Sequence, residues 1–200
     1  TKTPKQLLFD LIPILKEELF KLKDPASLTS ALRPLIKEGH IQLYSENPEI
    51  QKFAETWKFD GKLPLPAQKT DMLAVVSTSI GGNKSDRFIK TQLSHETEIQ
   101  IGKIVDRITL EKTHTWTKTD FGRWKRYFDF YGEAQPMMRT LRFILGEGPN
   151  VDYVRVYVPQ GSQLRSVDDA TPVTTTEDLG YTVFAFKMTV KPGETKKMTL

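Results

Sequence analysis

The octapeptide "SIGGNKSD", residues 79–86, contains residue types that suit phosphate binding. Two glycines followed by Lys-Ser would let backbone N–H groups and an ammonium group hold phosphate oxygens. The nucleotide-binding pattern G-x-x-x-x-G-K-S/T fails, because Thr78 and Asn83 stand where it requires glycine. The dinucleotide pattern G-x-G-x-x-G fails too, since only Gly81 and Gly82 are present and the following segment has strand character. The sequence therefore argues against a phosphate-binding loop.

The same residues are typical of a tight turn, because glycine and asparagine tolerate positive backbone torsions. We predict that this stretch is a structural corner in which Gly81 or Gly82 holds a positive φ. The alternative is a ligand site, in which an amide, an ammonium and a carboxylate on one exposed turn bind a polar or anionic group. Its candidate binding residues are Asn83, Lys84 and Asp86.

Residues 121–142 alternate aromatic and basic side chains. Such a mixture can stack on sugars, lie at a membrane surface or bind single-stranded nucleic acid. The candidate binding residues here are Arg123, Trp124 and Arg126. The favoured alternative is structural, because Trp124 and the aromatic residues four and seven positions after it fall on one helical face.

No pattern in the sequence predicts catalysis, a metal site or a cofactor. The chain has no cysteine and three histidines, none of them in a paired metal-binding spacing. His95 is followed by Glu96, but neighbouring residues of a strand point to opposite faces. The carboxylates form no recognisable acid–base pair, and the G-x-S-x-G elbow of serine hydrolases is missing.

The composition predicts a globular chain with a modest preference for anionic partners. Lysine and arginine exceed aspartate and glutamate by 29 to 25, which gives a net charge of +4. This excess is too small for a polybasic nucleic-acid binder, and we predict no nucleic-acid partner. No apolar run approaches the roughly 20 residues of a membrane span, and the chain opens with "TKTPKQ". We therefore expect the chain to be a fragment of a longer protein. We expect the protein to contact a membrane only through a segment that this chain does not contain.

Helical periodicity dominates the first part of the sequence. Leucine and isoleucine at helical spacing predict a helix over 4–22 that Pro13 bends or splits. A helix-capping residue followed by proline, Asp24-Pro25 and Asn47-Pro48, predicts further helices in 24–39 and 47–57. The alternation of apolar and polar residues in 40–45 predicts a short strand between them.

Strand periodicity dominates after residue 70. The apolar run 72–76 predicts a central strand covered on both faces, and 87–116 predicts a long hairpin. Residues 117–150 predict two short helices. Two further strands are predicted by the alternation of "YVRVYV" and "YTVFAFKMTV". The first has Val154, Val156 and Val158 on one face, and the second has Phe184, Phe186, Met188 and Val190 on one face.

The switch from helical to strand periodicity predicts an α+β fold. In it, N-terminal helices pack on a mainly antiparallel sheet, followed by β-sandwich-like C-terminal strands. The corresponding domains are an α+β domain at 1–116, an aromatic and basic helical excursion at 117–150 and sandwich-like strands at 151–200. The chain ends at Leu200 within a strand-like run, and the pattern leaves open whether a further strand completes the sandwich.

Two separated stretches carry a family resemblance. "DMLAVVSTSIGGNKSDRFI" at 71–89 has an aspartate-led apolar strand that runs into an Asn-Lys-Ser-Asp loop, and 153–162 has Tyr-x-Arg-Val-Tyr-Val-Pro-x-Gly-Ser. With these stretches the chain resembles the bacterial family known as domain of unknown function 4012. The resemblance covers about residues 5–200 and is least good at 117–150.

The resemblance implies a bacterial protein at the cell surface or outside the cell. Members of the family are typically long membrane-anchored proteins whose upstream half is similar to cell-wall glycopolymer transferases of the LytR type. The function expected from it is a non-catalytic module that positions or binds envelope material, with an anionic cell-wall glycopolymer or another envelope component as partner. The alternative is a fragment of an enzyme related to those transferases, with the catalytic half missing.

Overall fold

The computed structural model describes residues 6–21, 24–63, 71–130, 139–140, 142–168 and 170–200. The chain divides into two compact units, Thr1–Pro64 and Leu65–Leu200. Helices accompany two antiparallel sheets, which confirms the predicted α+β class. Both sheets combine strands that end before residue 116 with strands that begin at residue 150 or later, so strand pairing joins parts of the chain that the predicted domains separate.

The first unit contains three helices, whose starts follow from local capping. They are α1 (Gln6–Lys21), α2 (Pro25–Lys37) and α3 (Pro48–Thr56). The Asp24 carboxylate accepts a hydrogen bond from the Ala26 backbone N–H at 3.0 Å, and the Asn47 side chain caps α3 in the same way. Each cap satisfies a backbone donor that has no partner within the helix.

The strand predicted at 40–45 is wrong, because the described backbone of this segment adopts no strand. The Leu43 N–H donates to the Phe59 carbonyl at 2.8 Å, and the Ser45 N–H donates to the Gln51 side chain at 3.0 Å. The segment is therefore a loop between α2 and α3 that is hydrogen-bonded to α3 and to the residue Phe59 after it. Two alternating apolar residues do not supply a partner strand, and without one no ladder forms.

The second unit contains two antiparallel sheets. Sheet A has the order β1-β4-β6-β5 and sheet B the order β2-β3-β7. The strands of sheet A are β1 (Ala74–Ser79), β4 (Asn150–Val158), β5 (Thr174–Asp178) and β6 (Tyr181–Val190); those of sheet B are β2 (Ile89–Gln100), β3 (Lys103–His114) and β7 (Thr195–Thr199).

The inner faces of the two sheets form one hydrophobic core. Alternate residues of β4 and β6 face alternate residues of β3 and β7, as their two-residue periodicity requires. Burying each large apolar side chain contributes about 1.5–3 kcal/mol. The buried set, which confirms the predicted inner faces of β4 and β6, is Ile108, Leu110, Val154, Val156, Val158, Phe184, Phe186, Met188, Val190 and Met198.

Strand β1 corrects the prediction of a central strand at 72–76. It lies at the edge of sheet A, and among the described strands it pairs only with β4. Its first half is partly buried, whereas Ser77, Thr78 and Ser79 are exposed. A short apolar run does not reveal how many neighbours a strand has, because that number depends on distant pairing. The threonine-rich strand β5 forms the opposite edge of sheet A and was not predicted from the sequence.

Two helical segments lie in the region predicted to contain them. Helix α4 spans Lys118–Phe130, and a π-helical turn spans Phe143–Glu147 with Gly146 at φ +105°. None of the described helices combines the length and the apolar character that crossing a membrane requires.

Candidate functional site

The glycine stretch forms the predicted corner between β1 and a short 3₁₀ helix at Ser85–Phe88. Gly82 has φ +70°, which confirms the predicted positive torsion. A Cβ atom at Gly82 would meet no atom within 4 Å. The glycine is therefore required for its backbone torsion and not for space.

The Asn83 side chain holds the corner together from within. Its Oδ1 accepts hydrogen bonds from the Ser85 backbone N–H at 3.1 Å and from the Ser85 hydroxyl. Its Nδ2 donates to the Pro149 carbonyl at 3.1 Å. Asn83 thus joins the corner to the segment that precedes β4.

Asn150, the first residue of β4, makes the second connection. It is fully buried, and its Nδ2 donates to the Asp86 carboxylate at 2.8 Å and to the Ser85 hydroxyl at 3.2 Å. The Lys84 backbone N–H donates to the Ile144 carbonyl at 3.0 Å, while the lysine itself is exposed. Two of the three candidate ligand residues, Asn83 and Asp86, therefore have structural partners, and a ligand role at this corner stays a prediction.

We expect Gly82→Val to lower the free energy of unfolding by about 1–3 kcal/mol, because a branched residue is forced into the left-handed region. Lys84→Ala should change it by less than about 0.5 kcal/mol, as for other exposed side chains. Thermal unfolding measures both variants. A large loss in Lys84→Ala together with a silent Gly82→Val would contradict the corner.

The second group of predicted binding residues lies on α4. Arg126 is exposed on this helix. The side chains of Arg123 and Trp124 lie outside the described part of the structure, as do the aromatic side chains predicted to form a buried stripe with Trp124. Among the described contacts, none joins Arg126 to the corner residues.

Lys112 on β3 is the most deeply buried charge that sequence reasoning missed. Its side chain is 2% exposed, forms an ion pair with the Asp152 carboxylate on β4 and donates to the Ser77 hydroxyl on β1 at 2.8 Å. The pair connects sheet B to sheet A inside the sandwich. A signal existed in the sequence, because Lys112 continues the alternation of Ile108 and Leu110 and so had to point inward.

His114, at the end of β3, is also buried and is held by main-chain groups. Its Nδ1 accepts from the Trp116 N–H at 3.3 Å, so Nε2 carries the proton and donates to the Gly148 carbonyl at 3.2 Å. The ring stacks on Phe88 at 6.3 Å between centroids. Desolvation by burial lowers the pKa of His114 below its ordinary value, with the Gly148 bond opposing that shift. The imidazole is thus a neutral structural group.

Asp71, His95 and Asp106 are the described residues whose side chains could hold a metal ion. Their ligand atoms all lie within 4.8 Å of one another. His95 Nε2 is 3.1 Å from Asp106 Oδ1 and 3.9 Å from Asp71 Oδ2, and the Thr97 hydroxyl donates to Asp106 at 2.7 Å. The sequence analysis did not predict this cluster, because the residues are close only after the β2–β3 hairpin has formed. The hairpin register places Asp106 opposite Thr97 and near His95. The polar contacts within the group account for its geometry without an ion.

A groove of about 490 Å³ runs over the outer face of sheet B. Hydroxyls from three strands line it at Ser94, Thr109 and Thr199. The Asp168 N–H donates to the Thr199 carbonyl at 3.2 Å and places the segment after β4 along the groove. The charged lining residues are Arg107, Arg165 and Lys197 on the cationic side and Glu96, Asp106 and Asp168 on the anionic side.

The groove continues along the strands. A neighbouring depression shares Ser94, Thr109 and Lys197 with it and adds Gln92 and Glu111. These side chains point to the outer face of sheet B, and the side chains that alternate with them on the same strands point to the core. Strand alternation therefore explains which residues face the groove. Which of them lie side by side depends on the order and register of β2, β3 and β7.

Comparison of the chain with protein-family models, with curated proteins and with solved structures finds no match. The resemblance to the domain of unknown function 4012 family therefore stays a prediction.

Proposed function

We propose that the unit Leu65–Leu200 is a non-catalytic binding module that holds a hydroxyl-rich glycan of the bacterial cell envelope in the groove on sheet B. The envelope location rests on the family resemblance. The groove carries the binding part of the proposal.

The lining of the groove supports a sugar ligand. Its volume of about 490 Å³ falls in the range of small-molecule sites. Three cationic side chains offer hydrogen-bond donors and three carboxylates offer acceptors, so the formal charges of the lining balance. Sugar hydroxyls use both kinds of partner, whereas a polyanion would meet the carboxylates unfavourably. The neutral sugar units of an envelope glycopolymer fit this balance better than its anionic groups.

The most deeply buried ionisable groups of the sandwich have structural partners and supply the groove with no acid or base. Lys112 and Asp152 bind each other, and His114 binds two main-chain groups. Each of them is buried in the sandwich, away from the exposed groove residues Glu96 and Lys197. A catalytic acid or base must instead reach the substrate within hydrogen-bond distance.

Lys197→Ala should weaken the binding of a soluble N-acetylhexosamine oligosaccharide by about 10- to 100-fold, because a lost charge-assisted hydrogen bond costs about 1.5–3 kcal/mol. Isothermal titration calorimetry measures the affinity. The matched control is Lys187→Ala on β6, which removes the same exposed ammonium group from sheet A and should leave the affinity unchanged.

Three results would contradict the proposal. The first is equal affinity in the Lys197→Ala and Lys187→Ala variants. The second is preferential binding of poly(glycerol phosphate) with a steep salt dependence, which would indicate a polyanion site. The third is turnover of the oligosaccharide by the purified protein, which would favour the enzyme-fragment alternative.

A further inference from the structure

Strand β2 presents a long edge that no other strand of the described residues pairs with. It is the first strand in the order β2-β3-β7 and pairs with β3 over all of its 12 residues without a bulge. Its side chains are exposed from Lys90 to Ile99. Proteins usually protect such edges with proline, bulges or several charges, because unpaired backbone groups are a template for another strand. β2 contains no proline and no bulge, and its charged residues are Lys90, Glu96 and Glu98.

The hydrogen bonds of the hairpin show which backbone groups face the open edge. The Thr115 N–H donates to the Phe88 carbonyl at 2.8 Å, so Phe88 and Thr115 form a hydrogen-bonded pair. Hydrogen-bonded and non-hydrogen-bonded pairs alternate along an antiparallel ladder. The even-numbered residues of β2 therefore bind β3. The odd-numbered residues from Ile89 to Ile99 direct their N–H and C=O groups away from it.

The sequence of β2 is complementary to itself in the antiparallel direction. With Ser94 at the centre, Lys90 lies opposite Glu98 of a second copy, and Glu98 lies opposite Lys90 of that copy. Both ion pairs fall at non-hydrogen-bonded positions, where side chains approach most closely. In the same register the odd-numbered residues form the hydrogen-bonded pairs, with Ile89 opposite Ile99.

We propose that β2 is a self-association edge, on which a second copy of this chain docks its own β2 antiparallel, with the twofold axis at Ser94. The two copies of sheet B then form one six-stranded sheet. A register centred on Leu93 would pair Lys90 with Glu96, but it would place Glu98 and Ile99 opposite residues outside the strand. The centre at Ser94 pairs the strand from Ile89 to Ile99 and brings Lys90 opposite Glu98. This inference is independent of the glycan proposal, because it needs no ligand.

A cysteine at the axis tests the register, since the natural sequence has none. In Ser94→Cys the two sulfur-bearing residues face each other at a Cα distance of about 4.5 Å, which a disulfide can span. Gln92→Cys is the matched control on the same strand face. Its two copies are offset by four residues, or about 13 Å along the strand. Under mild oxidation the full chain should give a covalent dimer with Ser94→Cys and none with Gln92→Cys.

Charge reversal tests the affinity. By analytical ultracentrifugation, Glu98→Lys and Lys90→Glu should each raise the dimer dissociation constant at least tenfold, because both ion pairs become like-charge contacts. The double variant Lys90→Glu/Glu98→Lys should restore it. Lys103→Glu, an exposed reversal on β3 away from the edge, is the control and should have little effect. A wild-type chain that stays monomeric, a dimer insensitive to both reversals, or a covalent dimer of Gln92→Cys alone would overturn the proposal.

Discussion

Lys112→Met is expected to lower the free energy of unfolding of the sandwich by about 3–5 kcal/mol, the usual cost of removing one partner of a buried ion pair. The variant leaves the Asp152 carboxylate buried without a cation. Within the described structure the Asp152 Oδ1 atom has no hydrogen-bond partner, so Lys112 is the main compensation for that charge. Chemical denaturation followed by the strand signal in circular dichroism measures the loss.

The double variant Lys112→Met/Asp152→Leu separates charge from packing. Replacing a buried ion pair by apolar residues of similar size is often neutral, so the double variant should recover most of the lost stability. Ser77 is at the exposed part of β1 and can bind water in both variants. If the double variant is as unstable as Lys112→Met, the loss comes from packing and not from an uncompensated charge.

Gly146→Ala is expected to lower the free energy of unfolding by about 2–5 kcal/mol, which combines backbone strain with overpacking. Gly146 has φ +105°. A Cβ atom there would lie 2.6 Å from the Phe88 ring and 3.1 Å from the Lys84 carbonyl oxygen. The Phe88 ring stacks on His114 and has little freedom to retreat. Thermal unfolding should therefore show a large decrease in the melting temperature.

Gly82→Ala is the matched control for Gly146→Ala. Gly82 also has a positive φ, but a Cβ atom there has open space around it. The control should lose only about 1–2 kcal/mol, the cost of the left-handed conformation alone. Equal losses at Gly82 and Gly146 would contradict the close approach of Gly146 to Phe88.

Local pattern determined a large part of the fold. Helix caps at Asp24 and Asn47 placed the starts of α2 and α3, because capping depends on residues within one turn. Two-residue alternation predicted the inner faces of β4 and β6, because side chains of a strand alternate whatever it packs against. The positive φ at Gly82 followed from the turn chemistry of glycine.

Tertiary structure alone decided what those elements meet. Strand β1 lies at an edge because it pairs with β4, which is far from it in the sequence. Lys112 and Asp152 are 40 positions apart, and Asn150 and Asp86 at the corner are 64 positions apart. The Lys112–Ser77 hydrogen bond joins residues 35 positions apart. The groove likewise combines β2, β3 and β7 with the segment at 165–168. Periodicity reports which face of a strand is buried, but strand order and register arise from the joint packing of the whole core. The sequence therefore determined which face of β4 and of β6 is buried, and only the packed sandwich determined the neighbours of each strand.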